Sequence, residues 1–327
     1  MIRTLSVRRR QWLGLGVLAA AILGIALAPI FASSYYISVL GEALAFAVFA
    51  LALDLLWGVS GVLSFGHAAF FGIGAYSFGL LTQHLGTGAP YLALIAALVV
   101  PAVLGIALGF FTFFSGVTGP YFAIITLTVA LILSQIATSF PHLTGGLNGL
   151  SIPGLVLPTP AGELNLSDVV ALYYVGLAVA VIALVVGFVL VRAPFGQALL
   201  AAADSEMRAA SLGYNTALLK TTVLALSGAM AGIAGALYAP MASFVNPEVV
   251  GLTLSTNVII WVALVGRGVL VGGMLGALTI AFLSSYLSGT FGHVWVLTLG
   301  ILLLLVVLFK PSGLLGTRAI RRLVGSA

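Results

Sequence analysis

The chain has 327 residues, of which 62% are hydrophobic and only 6% charged, with a formal net charge of +5 and no cysteine. A mean hydropathy of +1.26 and the lack of any Asp, Glu, Lys or Arg between Asp54 and Glu163 exclude a soluble globular protein, whose surface needs charge. The absent cysteines exclude disulfides, thiolate nucleophiles and Cys-ligated zinc or iron–sulfur centres.

Runs of about 20 apolar residues cross a bilayer as helices that satisfy their own backbone hydrogen bonds. Such runs, bounded by Gly, Pro or polar residues, predict spans near 11–30, 38–56, 67–84, 91–114, 120–140, 168–191, 218–239, 252–266, 270–288 and 293–310. The expected fold is therefore all-α, a polytopic membrane protein of about ten transmembrane helices in one domain, residues 1–327. The start combines basic and apolar regions as a signal peptide does, but its apolar run reaches spanning length and reads as a retained first helix. Arg3, Arg8, Arg9 and Arg10 keep the N-terminus cytoplasmic. With ten spans all twelve Lys and Arg then fall on or near the cytoplasmic face, the C-terminal tail from Lys310 included, while Glu163, Asp168 and Glu248 fall outside. Basic residues at span edges set orientation, so nucleic acid is not an expected partner; membrane lipid is.

In the second span Glu42 sits near the outer, hydrated end, and Asp54 near the cytoplasmic end. Ionisable groups within spans are functional candidates, yet a carboxylate near a span end also serves as structural support for the Gly-rich turn that follows. That turn and the next span hold Gly58, Gly61, Gly66, Gly72 and Gly74. Glycine at this density allows close helix packing, or a broken helix that lines a cavity. The second alternative makes Asp54, Ser60, Gly66, His67 and Phe71 candidates for a translocation path. The string GVSG (58–61) also fits the Gly-x-Ser-Gly of intramembrane serine proteases. That chemistry needs a His within reach of Ser60, whereas His84, His142 and His293 fall on the outer side and His67 lies on the following helix. The three outer histidines read as interfacial residues, with no metal site expected.

Residues 141–167 hold four of the twelve prolines and read as an external loop, either a lid or a docking surface for an external substrate-binding protein through Thr144, Asn148 and Glu163. The cytoplasmic loop at about 192–217 gathers Arg192, Asp204, Glu206 and Arg208. Read as one helix, it places Leu200, Ala203, Met207 and Ala210 on one face and Gln197, Asp204, Arg208 and Ser211 on another, with Asp204 and Arg208 as an i,i+4 pair and Gly213 as the stop. It is either a solvated connector or a docking helix for a cytoplasmic partner. Gly228 and Gly232, four apart, read as packing, and the runs 252–266 and 270–288 either fuse or break into half-helices.

Three blocks carry a resemblance. They are ALDLLWGVSGVLSFGHAAFFGIGAY (52–76), YFAIITLTVALILSQIATSF leading into LTGGLNGLSIPG (121–154), and FGQALLAAADSEMRAASLGYNTALLKTTVLALSGAMAGIAGALYA (195–239) followed by NPE and WVALVGRGVLVGGMLGA (261–277). Together they resemble, over most of residues 45–315, the permease subunits of bacterial ABC importers for branched-chain amino acids, the second of their two paired permeases. The resemblance implies that Glu206, Ala209, Ala210 and Gly213 match the Glu-Ala-Ala-Gly pattern of the loop that couples to the ATPase, with Asp204 and Arg208 beside them. Where similar permeases carry an Arg before the acidic pair, this chain has Ala203. It further implies two ABC ATPase subunits, a second homologous permease in a heterodimer, an external binding protein, and a bacterial inner-membrane location. No cofactor is expected in this chain. ATP and Mg belong to the partner ATPases, since neither Lys220 nor Lys310 lies in a phosphate-binding Gly-x-x-x-x-Gly-Lys loop, and the chain reads as a non-catalytic subunit. Residues 52–58 and 259–268 also look like the urea and short-amide branch, while GHAAFFGIGAY fits the amino-acid branch better. A stand-alone channel or secondary transporter and a membrane enzyme are the rival classes.

Overall fold

The computed structural model describes residues 20–85, 90–152, 156–159, 162–165, 168–291, 300–301 and 309. Apolar segments without interior charge become helices: α1 (Ala20–Phe31), α2 (Ser34–Asp54), α3 (His67–Leu85), α4 (Pro90–Phe113) and α5 (Pro120–Ser139). After a short α6 (Pro141–Thr144) come α7 (Val169–Arg192), α8 (Pro194–Asp204), α9 (Glu206–Ser211), α10 (Thr216–Ala242), α11 (Leu252–Val265) and α12 (Leu270–Phe291). The chain is a polytopic membrane protein of the all-α class. Five of these helices are long and apolar enough to cross a bilayer alone, or six if α11 and α12 form one broken span. The tenfold count is thus not reached among the described residues; the expected span 293–310 and the first part of 11–30 lie mostly outside them.

The helices sort by burial. The spanning windows of α2 and α10 are 78% and 72% buried, those of α4 and α5 only 28%, so the first two form the interior and the others carry the apolar outer faces. On α4 the outward stripe is Ile95, Val99, Val103 and Ile106, side chains that suit hydrocarbon. The interior is closed by backbone contact. A Cβ at Gly74 of α3 would stand 2.2 Å from the carbonyl oxygen of Gly232 on α10, and one at Gly232 would stand 2.1 Å from that of Ala97 on α4. Only glycine permits these approaches, which is how membrane helices pack where the hydrophobic effect supplies no drive. The α3–α4–α10 unit is therefore held backbone to backbone.

Three features depart from a plain bundle. The second span does not end at 56: α2 runs on as one π-helical turn, Leu55–Val59, before the chain leaves helical geometry until His67. The break between α11 and α12 bends the pair by 119°, with Gly266 and Gly268 at φ +122° and +78°; only glycine takes this backbone without strain. The cytoplasmic-loop helix is not continuous. Ser205 is extended (φ −163°, ψ 108°) and separates α8 from α9, so Asp204 and Arg208 do not share one helix as the expected i,i+4 pair. Pro194 starts α8, and the Ser205 hydroxyl accepts a hydrogen bond from the Arg208 N–H, the ordinary N-cap that restarts a helix.

At the opposite end of the bundle the segment after α5 is partly structured. Strand β1 (Leu150–Ser151) pairs antiparallel with β4 (Phe244–Val245), and β2 (Val156–Thr159) forms a hairpin with β3 (Gly162–Asn165). The first pair ties the loop that follows α5 to the end of α10.

Candidate functional site

A cavity of about 740 Å³ lies at the end of the bundle that carries α8 and α9. Its walls come from three stretches: the non-helical segment with Ser60, Gly61 and Phe65, the α4–α5 turn with Phe113, Thr118 and Phe122, and the arm with Ala203, Asp204 and Glu206, closed by Lys220 of α10. Gly61 adopts φ +75°, which turns the chain across the cavity mouth. A Cβ built on it would stand 3.7 Å from that of Ala203, so the alanine leaves the arm close against the segment.

The arm presents two faces. Ala209 is buried, and Glu206 forms an ion pair with Lys220, which is itself buried while Glu206 is about half exposed. Outward stand Met207 and Leu212, 81% and 75% exposed, with Arg208, Ala210 and Gly213. Gly213, at φ +88°, closes α9: its N–H donates to Ala210 O at 2.9 Å and the Tyr214 N–H to Ala209 O at 3.2 Å. This is the glycine stop expected from the sequence.

The residues named as path candidates separate. Ser60 lines the cavity, its hydroxyl donating to Leu56 O at 2.5 Å. Asp54 is fully buried away from the cavity lining, and its Oδ1 accepts from the Gly268 N–H at 2.5 Å. A Cβ at Gly58 would collide with both partners, 2.3 Å from each. The Arg267 guanidinium lies over Trp57 at 6.0 Å. Asp54, Gly58 and the α11–α12 turn thus form one junction, and the carboxylate's partner is the distant Gly268 rather than the Gly-rich turn that follows it. Gly66 is pressed against α5, where a Cβ would stand 1.8 Å from Thr126 O. Its neighbour His67, fully buried, opens α3, and the next N–H, of Ala68, donates to Ser255 Oγ at 3.1 Å.

The imidazole of His67 has a defined role. Ser227 Oγ donates its one proton to Ala52 O at 2.5 Å and lies 3.2 Å from His67 Nε2. The hydroxyl can therefore only accept from the ring, so the proton of a neutral His67 sits on Nε2. Phe49 stacks on the ring at 5.6 Å and Phe70 meets it edge-on at 5.4 Å. Phe71 packs against Phe49 and Tyr238. Ser60 and His67 each have another partner, and the Ser–His contact of a protease is not formed between them.

Outside, Thr144 Oγ1 lies 2.5 Å from Ala137 O and 2.9 Å from Phe140 O, so its one proton serves the last carbonyls of α5. Asn148 is exposed, and Glu163 stands opposite Pro158 in the β2–β3 register. Sequence reasoning had not singled out Lys220, Phe113, Ser227 or Gly268 as site residues. The signal for Lys220 was present, a lone lysine inside an apolar run. For Gly268, whose backbone is what matters, no side-chain signal exists.

A family model described as the permease component of the branched-chain amino acid transport system matches residues 35–308. The high-affinity branched-chain amino acid transport system permease protein LivM of Escherichia coli (strain K12) is 33% identical over 292 residues, 83% of this chain and 67% of that protein. LivM of Salmonella typhimurium is 33% identical over 317 residues, 90% of this chain and 73% of the relative. LivH of the same E. coli strain is 26% identical over 288 residues, 83% of this chain and 91% of LivH. No solved structure matches the chain.

Proposed function

The chain belongs to the permease family of branched-chain amino acid transport systems, and on that premise we propose that it is the LivM-like permease of an ATP-driven importer for branched-chain or other apolar amino acids. Its partners are a second, LivH-like permease, two ABC ATPases and an external binding protein that delivers the substrate. The protein has ten spans with both termini in the cytoplasm of a bacterium, in its inner membrane. The chain itself catalyses no chemistry.

The observation that carries this reading is the arm 194–215. A short helix with an exposed apolar tip and a buried, ion-paired inner face is a fitting for the cleft of an ATPase. Closure of two ATPases on ATP would move the arm as a lever, and the cavity behind it gives the motion somewhere to go. The path then switches between outward and inward openings, two states whose balance ATP shifts. Ser60 and Gly61 face the inward opening, and Asp54, Gly66, His67 and Phe71 hold the helices that border it. Thr144, Asn148 and Glu163 are the residues offered to the binding protein.

Affinity purification of the tagged protein from gently solubilised native membranes, with mass spectrometry of what accompanies it, tests the assembly. Recovery of two ATPases and a second permease is expected; recovery alone or as a homo-oligomer removes the basis for the coupling role. Uptake of labelled leucine in the reconstituted complex, competed by valine but not by urea, tests the substrate class. A reporter fused after Gly213 should be cytoplasmic and one after Gly149 external.

A further inference from the structure

The coupling residue Glu206 is engaged within its own chain. Its carboxylate pairs with the ammonium of Lys220, on the first turns of α10, and Lys220 has only 6% of its surface exposed. The ammonium also lies over the ring of Phe113, 5.7 Å from its centroid, and Phe113 stacks on Phe122 at 4.8 Å. The pair therefore joins α9 to α10 and, through the two rings, to the ends of α4 and α5. Across the cavity a Cβ built on Gly61 would stand 3.7 Å from that of Ala203, an ordinary van der Waals contact.

We infer that Lys220 is a positioning residue that makes Glu206 a strut, carrying displacement of the coupling arm onto α10 instead of holding the ATPase. This deepens the importer reading and rests on it for its consequence. A load applied at the exposed tip, Met207 and Leu212, reaches α9, whose restart at Ser205 frees it to tilt relative to α8. Without a link to α10 that tilt would dissipate in the loop Gly213–Asn215. With the link it reaches α10, and the backbone contacts of Gly74 with Gly232 and of Gly232 with Ala97 carry it into α3 and α4 as one body. A buried ammonium needs a counter-charge, which is why the connection is held closed in both directions. Acid on the arm and base on the span also let the link be exchanged in sense without altering the outward tip.

The test uses the complete reconstituted transporter and compares Lys220→Met, Lys220→Arg, Glu206→Lys and the exchange Glu206→Lys with Lys220→Glu. Lys220→Met should keep the ATPases bound and hydrolysing ATP, while substrate taken up per ATP falls at least about 10-fold. Lys220→Arg should retain most of the coupling, and the exchange should recover several-fold over either of its single variants. Hydrogen exchange of residues 205–214 in the solubilised chain, measured without any partner, should accelerate in Lys220→Met and return toward wild type in the exchange. Accelerated exchange with unchanged coupling would overturn the lever role. Unchanged hydrogen exchange would overturn the strut itself. An exchange variant no better than Glu206→Lys, with the ATPase lost from both, would reassign Glu206 to the ATPase surface. Wild-type chain that brings no ATPase would sink the importer reading while the hydrogen-exchange result still judged the strut.

Discussion

Two of the places where this chain leaves helical geometry on the same end of the bundle are built in opposite ways. At the junction of residues 54–66 with the α11–α12 turn, a buried carboxylate meets a backbone N–H, and glycines bring main chains together with no room for a Cβ. In α9 and the turn after it, 206–215, side chains make the contact, Gly213 has empty space around it, and the tip is bare, although Gly196 anchors the start of the arm against the backbone at the end of α7. The first can only be kept or broken. On the proposed mechanism the second is the part that moves, because an ion pair and two rings can shift by an ångström where backbone packed against backbone cannot.

Glycine substitutions should separate the two regions most widely. In Gly66→Val the new Cβ would fall 1.8 Å from Thr126 O, a main-chain atom that cannot swing aside, and overpacking of this kind costs several times the ordinary penalty of about 1–3 kcal/mol. No monodisperse protein is expected on size exclusion in detergent. Gly213→Ala meets nothing within 4 Å and pays only for its φ of +88°, about 1–2 kcal/mol; it should elute as wild type. Equal behaviour of the two would erase the distinction drawn here.

Next in size is the Asp54 junction. Asp54→Ala removes the acceptor for a half-buried N–H and should lower stability by about 1–2 kcal/mol. Asp54→Asn keeps an acceptor oxygen of the same reach and should stay within about 1 kcal/mol of wild type. Trp57, beside the Arg267 guanidinium, gives the readout: its emission should shift in Asp54→Ala and not in Asp54→Asn during thermal unfolding. Ser227→Ala should cost no more, about 1–2 kcal/mol, since it strands one imidazole N–H while Ala52 O keeps its place in α2.

The spans were legible because burial in lipid writes itself as hydropathy. The runs at 91–114, 120–140 and 168–191 became Pro90–Phe113, Pro120–Ser139 and Val169–Arg192, and proline or a change in polarity marks each of their ends. Gly213 was legible as a stop for the same local reason. What the residues did not announce was contact between distant backbones. The π-helical turn at Leu55–Val59 has no composition of its own, and the Gly268 N–H that Asp54 receives is invisible in a side-chain alphabet. The break at Ser205 hid in a strong helical pattern: Leu200, Ala203, Met207 and Ala210 fit one face, and a capping serine inside such a run looks like any other polar residue. The hydrogen bonds of Thr144 were likewise not legible: nothing in a Gly-rich outer loop marks a hydroxyl that also closes the end of α5.

The smallest effect on the fold should come from the residues with the largest expected effect on assembly. Met207 and Leu212 are 81% and 75% exposed, so Met207→Ser combined with Leu212→Ser removes almost no buried surface and should change unfolding by no more than about 0.5 kcal/mol per site. The inner face, with Ala209 and the Glu206–Lys220 pair, is untouched. If the tip is the part that enters an ATPase cleft, the double variant should purify as a well-folded permease that has lost most of its ATPase, and uptake should fall with it. Retained ATPase at wild-type stoichiometry would mean that the bare tip faces water by default, and that the arm's function lies in its buried side alone. Because stability is expected to stay constant, a loss of partner in this variant cannot be attributed to unfolding. That is what makes the exposed half of the arm a sharper probe of coupling than any of its buried residues.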